Sequence, residues 1–362
     1  MIRSVQASFI LMMVLANVKS FAHPEYAEKM KMLKQQLSFI HRYENFIGKL
    51  DKTISYSVFH FKSMQRPEKK AAMVISPGRT EPSIKYLEVA YDFMKLGYYP
   101  IYVIDHRGQG RSQGLMFSDP SNPATRRGHA DDFVYFLKDF RQFVNIVKSV
   151  EKGPLVLLTH SMGGAIGAHY LKRDSKDFVA ASLISPMIGL PDESNKWAVS
   201  ATMCSLPLKK VQCTEYVKDG EDYFGHDWSP EKDNNFLDGK VNDVTHHQAR
   251  YEEMMSIFVQ DPQLRLGSPT WGWLHQMIRA MMRLRGKKNV KSIQLPFLVV
   301  RAGDEKIVNK NSMDNEFCHY SKLCQIKTIA GAYHEILFEL DAYRDQAIKW
   351  TDEHFSRYLS KK

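Results

Sequence analysis

Short apolar runs alternate with longer amphipathic stretches along most of the chain. Each run has the length of a β-strand, is rich in β-branched residues and lies close to turn formers. Because the runs are hydrophobic almost throughout, they indicate strands buried on both faces, as in a parallel sheet covered by helices. The predicted strands are Ala71 to Ser76, Pro100 to Ile104, Leu155 to Thr159, Ala180 to Ile184 and Pro296 to Val300.

Amphipathic stretches between and after these runs predict the covering helices, over residues 84–96, 130–148, 164–172 and 343–359. A further amphipathic helix is predicted before the first of these strands, within residues 24–50. Its apolar positions at helical spacing are Met30, Leu33, Leu37 and Ile40. Such a helix packs on the protein core or lies on a membrane surface.

The alternation stops between Ser185 and about Lys291, where prolines interrupt helical patterns and no strong strand is seen. We interpret this stretch as an inserted, mainly helical cap. The predicted fold is therefore α/β, with a mostly parallel central sheet flanked by helices. Its core comprises residues 23–185 and 293–362, and the cap comprises residues 186–292.

The N-terminus has the pattern of a targeting segment. Arg3 precedes an apolar run from Phe9 to Leu15, and small residues follow at Ser20 and Ala22. We therefore expect residues 1–22 to be a signal peptide and the protein to be exported, either periplasmic or secreted. Retention of the segment as an anchor is the alternative, although the apolar run is short for a membrane span.

Export affects how the four cysteines are interpreted, because an oxidising compartment permits disulfides. Local pairing would join Cys204 to Cys213 and Cys318 to Cys324, but four cysteines allow three pairings. The chain has no C-x-x-C sequence, and His334 does not begin an H-E-x-x-H zinc motif. No metal or other cofactor is predicted.

The formal net charge of +10 favours anionic partners such as phospholipid headgroups or nucleic acid. Lysines and arginines are dispersed, so a soluble basic surface explains the charge equally well. The glycine-rich DHRGQGRSQG sequence does not fit a dinucleotide fingerprint, since Gln113 occupies the third glycine position. We expect instead a loop ordered by Asp105 and Arg107 near the active-site mouth.

A candidate nucleophile lies in the stretch LLTHSMGGA, which is Gly-x-Ser-x-Gly with Thr159 in place of the first glycine. A predicted strand precedes Ser161 and a helix rich in small residues follows it, which is the context of a nucleophile elbow. Gly163 and Gly164 provide space after the serine. Thr159 is larger than glycine but still modest in volume.

A serine nucleophile needs a base, and that base needs an orienting acid. Asp304 and His334 follow late strands, at the sheet edge where Ser161 also emerges, so the three can converge. The triad is predicted as Ser161, Asp304 and His334. Glu305 could replace its neighbour, although aspartate better suits a turn after a strand, and His160 is predicted to be structural.

An acyl-transfer mechanism also needs hydrogen-bond donors for the developing oxyanion. The backbone N–H of Met162, directly after the nucleophile, is one candidate. The backbone N–H of Arg79, in the loop after an early strand, is the other. An ordinary Pro-Gly turn would explain the loop at Arg79 equally well.

Five segments occur together in the order of a known family: SPGRTEP, DHRGQGRS, THSMGG, RAGDEKIV and GAYHEILFE. In these segments the chain resembles the serine hydrolases that include monoglyceride lipases and bacterial lysophospholipases. The bacterial lysophospholipase branch is the most similar, because Pro77-Gly78-Arg79 stands where monoglyceride lipases carry His-Gly. The resemblance implies an α/β-hydrolase fold, the triad given above and hydrolysis of a carboxylic ester in a single-chain lipid.

The expected function is that of a lysophospholipase releasing a fatty acid through an acyl-enzyme on Ser161. The expected partners are a lysophospholipid or monoacylglycerol substrate and the surface of an anionic membrane, with no nucleic acid and no obligate protein partner. Alternatives are a monoacylglycerol lipase or broad carboxylesterase and a related peptidase. A catalytically silent hydrolase-fold protein that binds lipid is the alternative from another functional class.

Overall fold

The computed structural model of the protein describes residues 24–35, 39–62, 66–205, 210–222 and 243–360. The expected signal peptide, residues 1–22, lies outside this part of the chain. Within the described residues, no helix is long and apolar enough to span a membrane.

A single eight-stranded sheet forms the centre of the molecule, in the order β1-β2-β4-β3-β5-β6-β7-β8. The first two strands pair antiparallel to each other and β2 pairs antiparallel to β4, while the remaining neighbours are parallel. The strands are β1 Phe39–Ile47, β2 Thr53–Phe61, β3 Ala71–Ser76, β4 Tyr98–Ile104, β5 Leu155–His160, β6 Ala180–Ile184, β7 Phe297–Ala302 and β8 Cys324–Ile329.

Helices cover both faces of this sheet. On one face α3 and α4 bury their apolar sides, and on the other face α1, α2 and α8 do so. The longer helices are α1 Pro24–Lys34, α2 Leu87–Lys95, α3 Phe133–Val150, α4 Ser161–Asp174, α5 Glu193–Ser205, α6 Gln248–Gln260, α7 Trp271–Leu284 and α8 Asp341–Leu359. One-turn helices lie at Lys210–Cys213 and Lys287–Val290.

All five predicted strands are confirmed, with ends that differ by at most two residues. The reason is their burial: every residue of β3, β4, β5 and β6 is buried. A strand covered by helices on both faces must be apolar at nearly every position, and this makes it recognisable in sequence. The four predicted covering helices are also present, as α2, α3, α4 and α8.

The leading helix is shorter than predicted. Met30 and Leu33 are buried on α1, but residues from Phe39 onward form β1, which pairs with β2 along its entire length. Ile40, which the helical spacing predicts to be buried, is 40% exposed on this edge strand. Pairing of backbone groups with β2 has overridden an apolar spacing that suited a helix.

Between β6 and β7 the described residues form helices and connecting turns, with no strand added to the sheet. We call residues 186–292 the cap segment. Disulfides join Cys204 to Cys213 within it and Cys318 to Cys324 in the core, which confirms the local pairing. The division of the chain into core and cap domains remains a prediction.

Buried neutral histidines predict that the fold is sensitive to acid. Burial lowers the pKa of His106 to about 3 and those of His169 and His354 to about 4, from 6.5. As the pH falls, these histidines are protonated in the unfolded chain at a higher pH than in the folded protein. The free energy of unfolding therefore decreases as the pH falls from 6.5 toward 4. Each contributes a slope of about 1.4 kcal/mol per pH unit. Urea unfolding at several pH values measures the total.

His169→Gln is the matched variant for this prediction. Nε2 of His169 donates to the carbonyl of Ala280 at 2.9 Å, and a glutamine amide can donate in its place without titrating. The variant is expected to show a pH slope smaller by about 1.4 kcal/mol per unit. Equal stability of the unmodified protein at pH 7 and pH 5 would contradict the prediction.

Candidate active site

The candidate nucleophile Ser161 lies at a sharp turn from strand to helix. β5 ends at His160, α4 begins at Ser161, and the φ angle of 49° at Ser161 is in the left-handed region. A Cβ atom at Gly163 would lie 2.0 Å from the carbonyl oxygen of Ser76, so only glycine fits there. A strained turn of this kind exposes a serine hydroxyl above the sheet in α/β hydrolases.

Thr159 occupies the position where the motif has its first glycine, and the neighbouring helix provides the space. A Cβ at Gly167 would lie 2.7 Å from Cγ2 of Thr159, and one at Gly164 would lie 3.4 Å from its Oγ1. Thr159 lies on β5 and is fully buried against these two glycines. The larger side chain at this position is thus accommodated by glycines one and two turns along α4.

The candidate base His334 lies in the loop after β8. Its Nε2 accepts a hydrogen bond from Oγ of Ser161 at 2.9 Å. Both residues are nearly buried, with 4% of His334 and 9% of Ser161 exposed. The structure therefore brings together these two predicted residues, although 173 positions separate them.

The predicted acid Asp304 is not the residue that contacts the histidine. Nδ1 of His334 lies 2.9 and 2.8 Å from the two carboxylate oxygens of Glu305, whose side chain is fully buried. Asp304 is exposed, and its backbone N–H donates to the carbonyl of Ala332 at 3.0 Å. This bond holds the loops after β7 and β8 together, so that the next side chain, Glu305, reaches His334. The structure thus contradicts the expected contact of Asp304 with His334 and gives that contact to Glu305, while the catalytic role of the acid stays a prediction.

Glu305 is held as a carboxylate. Burial opposes its ionisation, but hydrogen bonds from His334 and from the backbone N–H groups of Ile307 and Val308 outweigh that effect and lower the pKa of Glu305. The two backbone bonds go to the same oxygen, Oε1, at 2.9 and 3.2 Å. This arrangement orients the carboxylate and fixes His334 with its proton on Nδ1, which leaves Nε2 free to accept from serine.

The two candidate oxyanion donors lie at the ends of adjacent strands. Met162 is in the first turn of α4, where backbone N–H groups have no partner within the helix. Arg79 follows β3, which pairs with β5 up to Ser76 and Thr159. The N–H of Gly78, one residue earlier, donates to Glu81 instead. Stabilisation of an oxyanion by Arg79 and Met162 remains a prediction.

The side chain of Arg79 extends toward the cap segment. Its Nη2 donates to the carbonyl of Gly267, and its guanidinium lies 5.4 Å from the ring centroid of Trp273. Burial lowers the pKa of Arg79 to about 10, a value at which it still carries its charge at neutral pH. No carboxylate in the described part of the chain pairs with it.

Asp105 and Arg107 do order the DHRGQGRSQG loop. The carboxylate of Asp105 accepts from the backbone N–H groups of Ser83 and Arg111 at 2.6 and 2.9 Å. Arg107 forms a buried ion pair with Asp139 at 2.7 Å. Gln109 then donates to the carbonyl of Gly78 at 2.8 Å. The loop therefore supports the segment that carries one candidate oxyanion donor.

Sequence reasoning missed a second charged cluster behind the catalytic pair, formed by Glu81, Lys85, His160 and Glu335. We call these residues the Glu81 cluster. Lys85 lies 2.8 Å from Glu81 and 2.9 Å from Glu335. Three segments that are distant in sequence supply these four residues, so they form no motif along the chain. The E-x-x-x-K spacing from Glu81 to Lys85 was the one available signal.

Comparison with known proteins agrees with this geometry. Residues 67–341 match the model of the family described as serine aminopeptidase, S33. The chain belongs to this family of α/β-hydrolase serine hydrolases.

Two curated bacterial proteins are similar over most of their length. Lysophospholipase L2 of Escherichia coli strain K12 is 32% identical over 298 residues, which cover 80% of this chain and 81% of that protein. The probable lysophospholipase L2 of Haemophilus influenzae is 28% identical, covering 80% and 85%.

A solved structure supports the fold assignment. A soluble variant of monoglyceride lipase from Saccharomyces cerevisiae, in complex with a substrate analog, aligns with a TM-score of 0.65 at 18% identity. The alignment covers 90% of this chain and 97% of that chain. The predicted α/β-hydrolase fold is confirmed.

Proposed function

We propose that the protein is a lysophospholipase that hydrolyses the carboxylic ester of single-chain phospholipids through an acyl-enzyme on Ser161. The observation that carries the proposal is the hydrogen-bonded series Ser161–His334–Glu305 at the strand ends of an α/β-hydrolase sheet. Similarity to two bacterial lysophospholipases across four-fifths of the chain supports the substrate class.

In the first half of the reaction, Oγ of Ser161 attacks the ester carbonyl carbon and transfers its proton to Nε2 of His334. The carboxylate of Glu305 stabilises the imidazolium that forms. As the tetrahedral intermediate collapses, the C–O bond to the glycerophosphoryl alcohol breaks, and His334 returns the proton to the leaving oxygen. Backbone N–H groups of Arg79 and Met162 stabilise the oxyanion.

In the second half, water attacks the acyl-enzyme carbonyl and His334 takes its proton. The carbonyl–serine bond breaks, the proton passes to Oγ, and the fatty acid leaves. The same residues thus serve both steps with roles reversed. No cofactor takes part in this scheme.

The charge of Arg79 favours a phospholipid over a neutral monoacylglycerol. A buried guanidinium without a carboxylate partner is costly unless another anion compensates it. Arg79 lies between the loop after β3 and the cap segment, so the phosphodiester of a bound lysophospholipid is an anion of suitable chemistry. A monoacylglycerol offers no such group.

Export and contact with an anionic membrane are also part of the proposal. Two disulfides suit an oxidising compartment, where they form and persist. The net charge of +10, which is +8 without Arg3 and Lys19 of the expected signal peptide, suits a surface rich in anionic lipids, which would also supply the substrate. Fractionation of cells that express the full chain tests the location directly.

A substrate panel whose lipid members share one acyl chain tests the function. It comprises a lysophosphatidylethanolamine, a lysophosphatidylglycerol, a monoacylglycerol, a short-chain ester and an aminoacyl amide. We expect kcat/KM for the lysophospholipids to exceed that for the monoacylglycerol by about tenfold or more, as one satisfied charge-assisted contact would give. Faster cleavage of the monoacylglycerol would instead favour a monoacylglycerol lipase, and cleavage of the amide alone would favour a peptidase.

A further inference from the structure

A second histidine lies directly behind the candidate base. The ring of His160, the residue before the nucleophile, is 4.9 Å from the ring of His334 between centroids. His160 is 2% exposed and belongs to the Glu81 cluster, which three segments build. Glu81 and Lys85 follow β3, His160 ends β5, and Glu335 follows β8.

Hydrogen bonding defines the protonation state of His160. Its Nδ1 lies 2.9 Å from a carboxylate oxygen of Glu81, and its Nε2 lies 3.2 Å from the backbone carbonyl of His334. A carbonyl oxygen can only accept. A neutral imidazole has one N–H, so it could satisfy only one of these contacts unless Glu81 were protonated.

Glu81 is a carboxylate, because donors surround it. Its Oε2 accepts from the backbone N–H of Gly78 and from the hydroxyl of Tyr86 at 2.8 Å, in addition to His160. Its Oε1 accepts from Lys85 at 2.8 Å. The N–H of Gly78 and the ammonium of Lys85 can only donate, so they favour the carboxylate form of Glu81 over a proton shared with a neutral His160. Both ring nitrogens of His160 therefore face acceptors, and the ring carries both protons.

The charge balance of the buried cluster leads to the same assignment. Glu81 and Glu335 supply two negative charges, while Lys85 supplies one positive charge to both of them. The cluster is neutral only when His160 carries the second positive charge. Buried charges persist when they are paired and hydrogen-bonded, and a net charge at this depth would be costly.

Titration behaviour agrees with the geometry. Burial opposes protonation of His160, but the charge and hydrogen bond of Glu81 outweigh it and raise the pKa of His160. For Glu81, burial is outweighed by His160 and Lys85, which hold its pKa well below its usual value. Nearby His106 remains neutral, since burial lowers its pKa to about 3.

We propose that His160 is a permanent imidazolium whose charge opposes a second proton on His334 in the resting enzyme, and that His160 is thereby a positioning residue for catalysis. Its Nε2–H also holds the backbone of His334 in place. Glu305 contacts the opposite side of the His334 ring and stabilises the imidazolium formed during reaction. The two neighbours thus act in opposite directions on the charge of the His334 ring.

The test compares variants that change the cluster charge in opposite directions. His160→Gln removes a positive charge, and Glu335→Gln removes a negative one. The measurement is the pH dependence of the second-order rate of labelling by a fluorophosphonate, which needs the serine and its base but no lipid. The proposed role of His160 requires the Ser161–His334 pair but no particular lipid. Labelling therefore tests this role even if the proposed substrate class is wrong.

For His160→Gln we expect the apparent pKa of the acidic limb to rise by about one pH unit, as loss of a charge some 5 Å away predicts at moderate screening. Glu335→Gln is expected to move the limb to lower pH. Lys85→Met, which also removes a cation, should move it upward if His160→Gln does not fold. A limb that does not move, or that moves in the same direction in variants of opposite sign, would overturn the proposal.

A direct measurement completes the test. The ring nitrogen chemical shifts of His160 report whether both nitrogens carry protons. We expect imidazolium shifts in the unmodified protein at neutral pH, where an ordinary histidine is mostly neutral. The shifts of a neutral ring at that pH would overturn the proposed charge, whatever the rates show.

Discussion

Ser161→Ala is expected to lower kcat/KM for ester hydrolysis by about a million-fold, to the residual level that substrate binding and the oxyanion donors provide. Removing Oγ removes the atom that forms the acyl-enzyme, so the covalent route through two easier steps is lost. The same variant should lose all labelling by a fluorophosphonate. Thermal unfolding should change little, because Oγ of Ser161 contributes one hydrogen bond, to His334.

Ser182→Ala is the matched control for the nucleophile. Ser182 is fully buried in β6, and its hydroxyl is 2.9 Å from that of Thr351, remote from His334 in the hydrogen-bond network. This variant should label and turn over substrate like the unmodified protein, at some cost in stability. A folded Ser161→Ala protein that retains ester hydrolysis would refute the serine mechanism and favour a silent lipid-binding role for this site.

The parallel core was predictable because burial on both faces leaves a strong trace in sequence. β5 and β6 are apolar almost without interruption, and no residue in either is exposed. The edge strand β1 leaves a weaker trace, since only Phe39 and Phe46 of its nine residues are buried. Two buried positions seven apart fit a helix as well as a strand, so only pairing with β2 decides between them.

Ser161 and His334 were predictable for a related reason. Each follows a recognisable strand, and the carboxyl ends of parallel strands lie at one edge of the sheet. Thr159 was recognised as a departure from the motif, but its compensation by Gly167 was not, because that contact lies between a strand and the second turn of the next helix. His160 is predicted from sequence to be structural, because adjacent side chains should diverge, and its contact with the distant Glu81 leaves no sequence pattern.

The acid could not be chosen from sequence because two adjacent carboxylates follow β7. Asp304 and Glu305 have the same charge, and which of them points inward depends on the turn. In the structure the backbone bond from Asp304 to Ala332 leaves its own side chain exposed and directs the longer glutamate to His334. Two consecutive residues of one turn thus have different environments. Substituting each of them in turn can show which one supports catalysis.

Glu305→Gln is expected to lower kcat/KM by about a thousand- to ten-thousand-fold, whereas Asp304→Asn should change it by less than about twofold. The glutamine oxygen would remain at Oε1, where the N–H groups of Ile307 and Val308 require an acceptor. The amide NH2 would then face Nδ1 of His334 and favour the tautomer with its proton on Nε2. That tautomer cannot accept from Ser161, and the negative charge that stabilises the imidazolium is lost as well.

Steady-state kinetics on the same ester for both variants, with circular dichroism to verify folding, decide the assignment. Glutamate and glutamine are nearly equal in size, so the Glu305→Gln fold should be preserved while the rate falls. Fluorophosphonate labelling should slow in parallel, because it uses the same base. The reverse result, a large loss in Asp304→Asn with Glu305→Gln almost unaffected, would restore Asp304 as the acid and require the loop after β7 to rearrange when substrate binds.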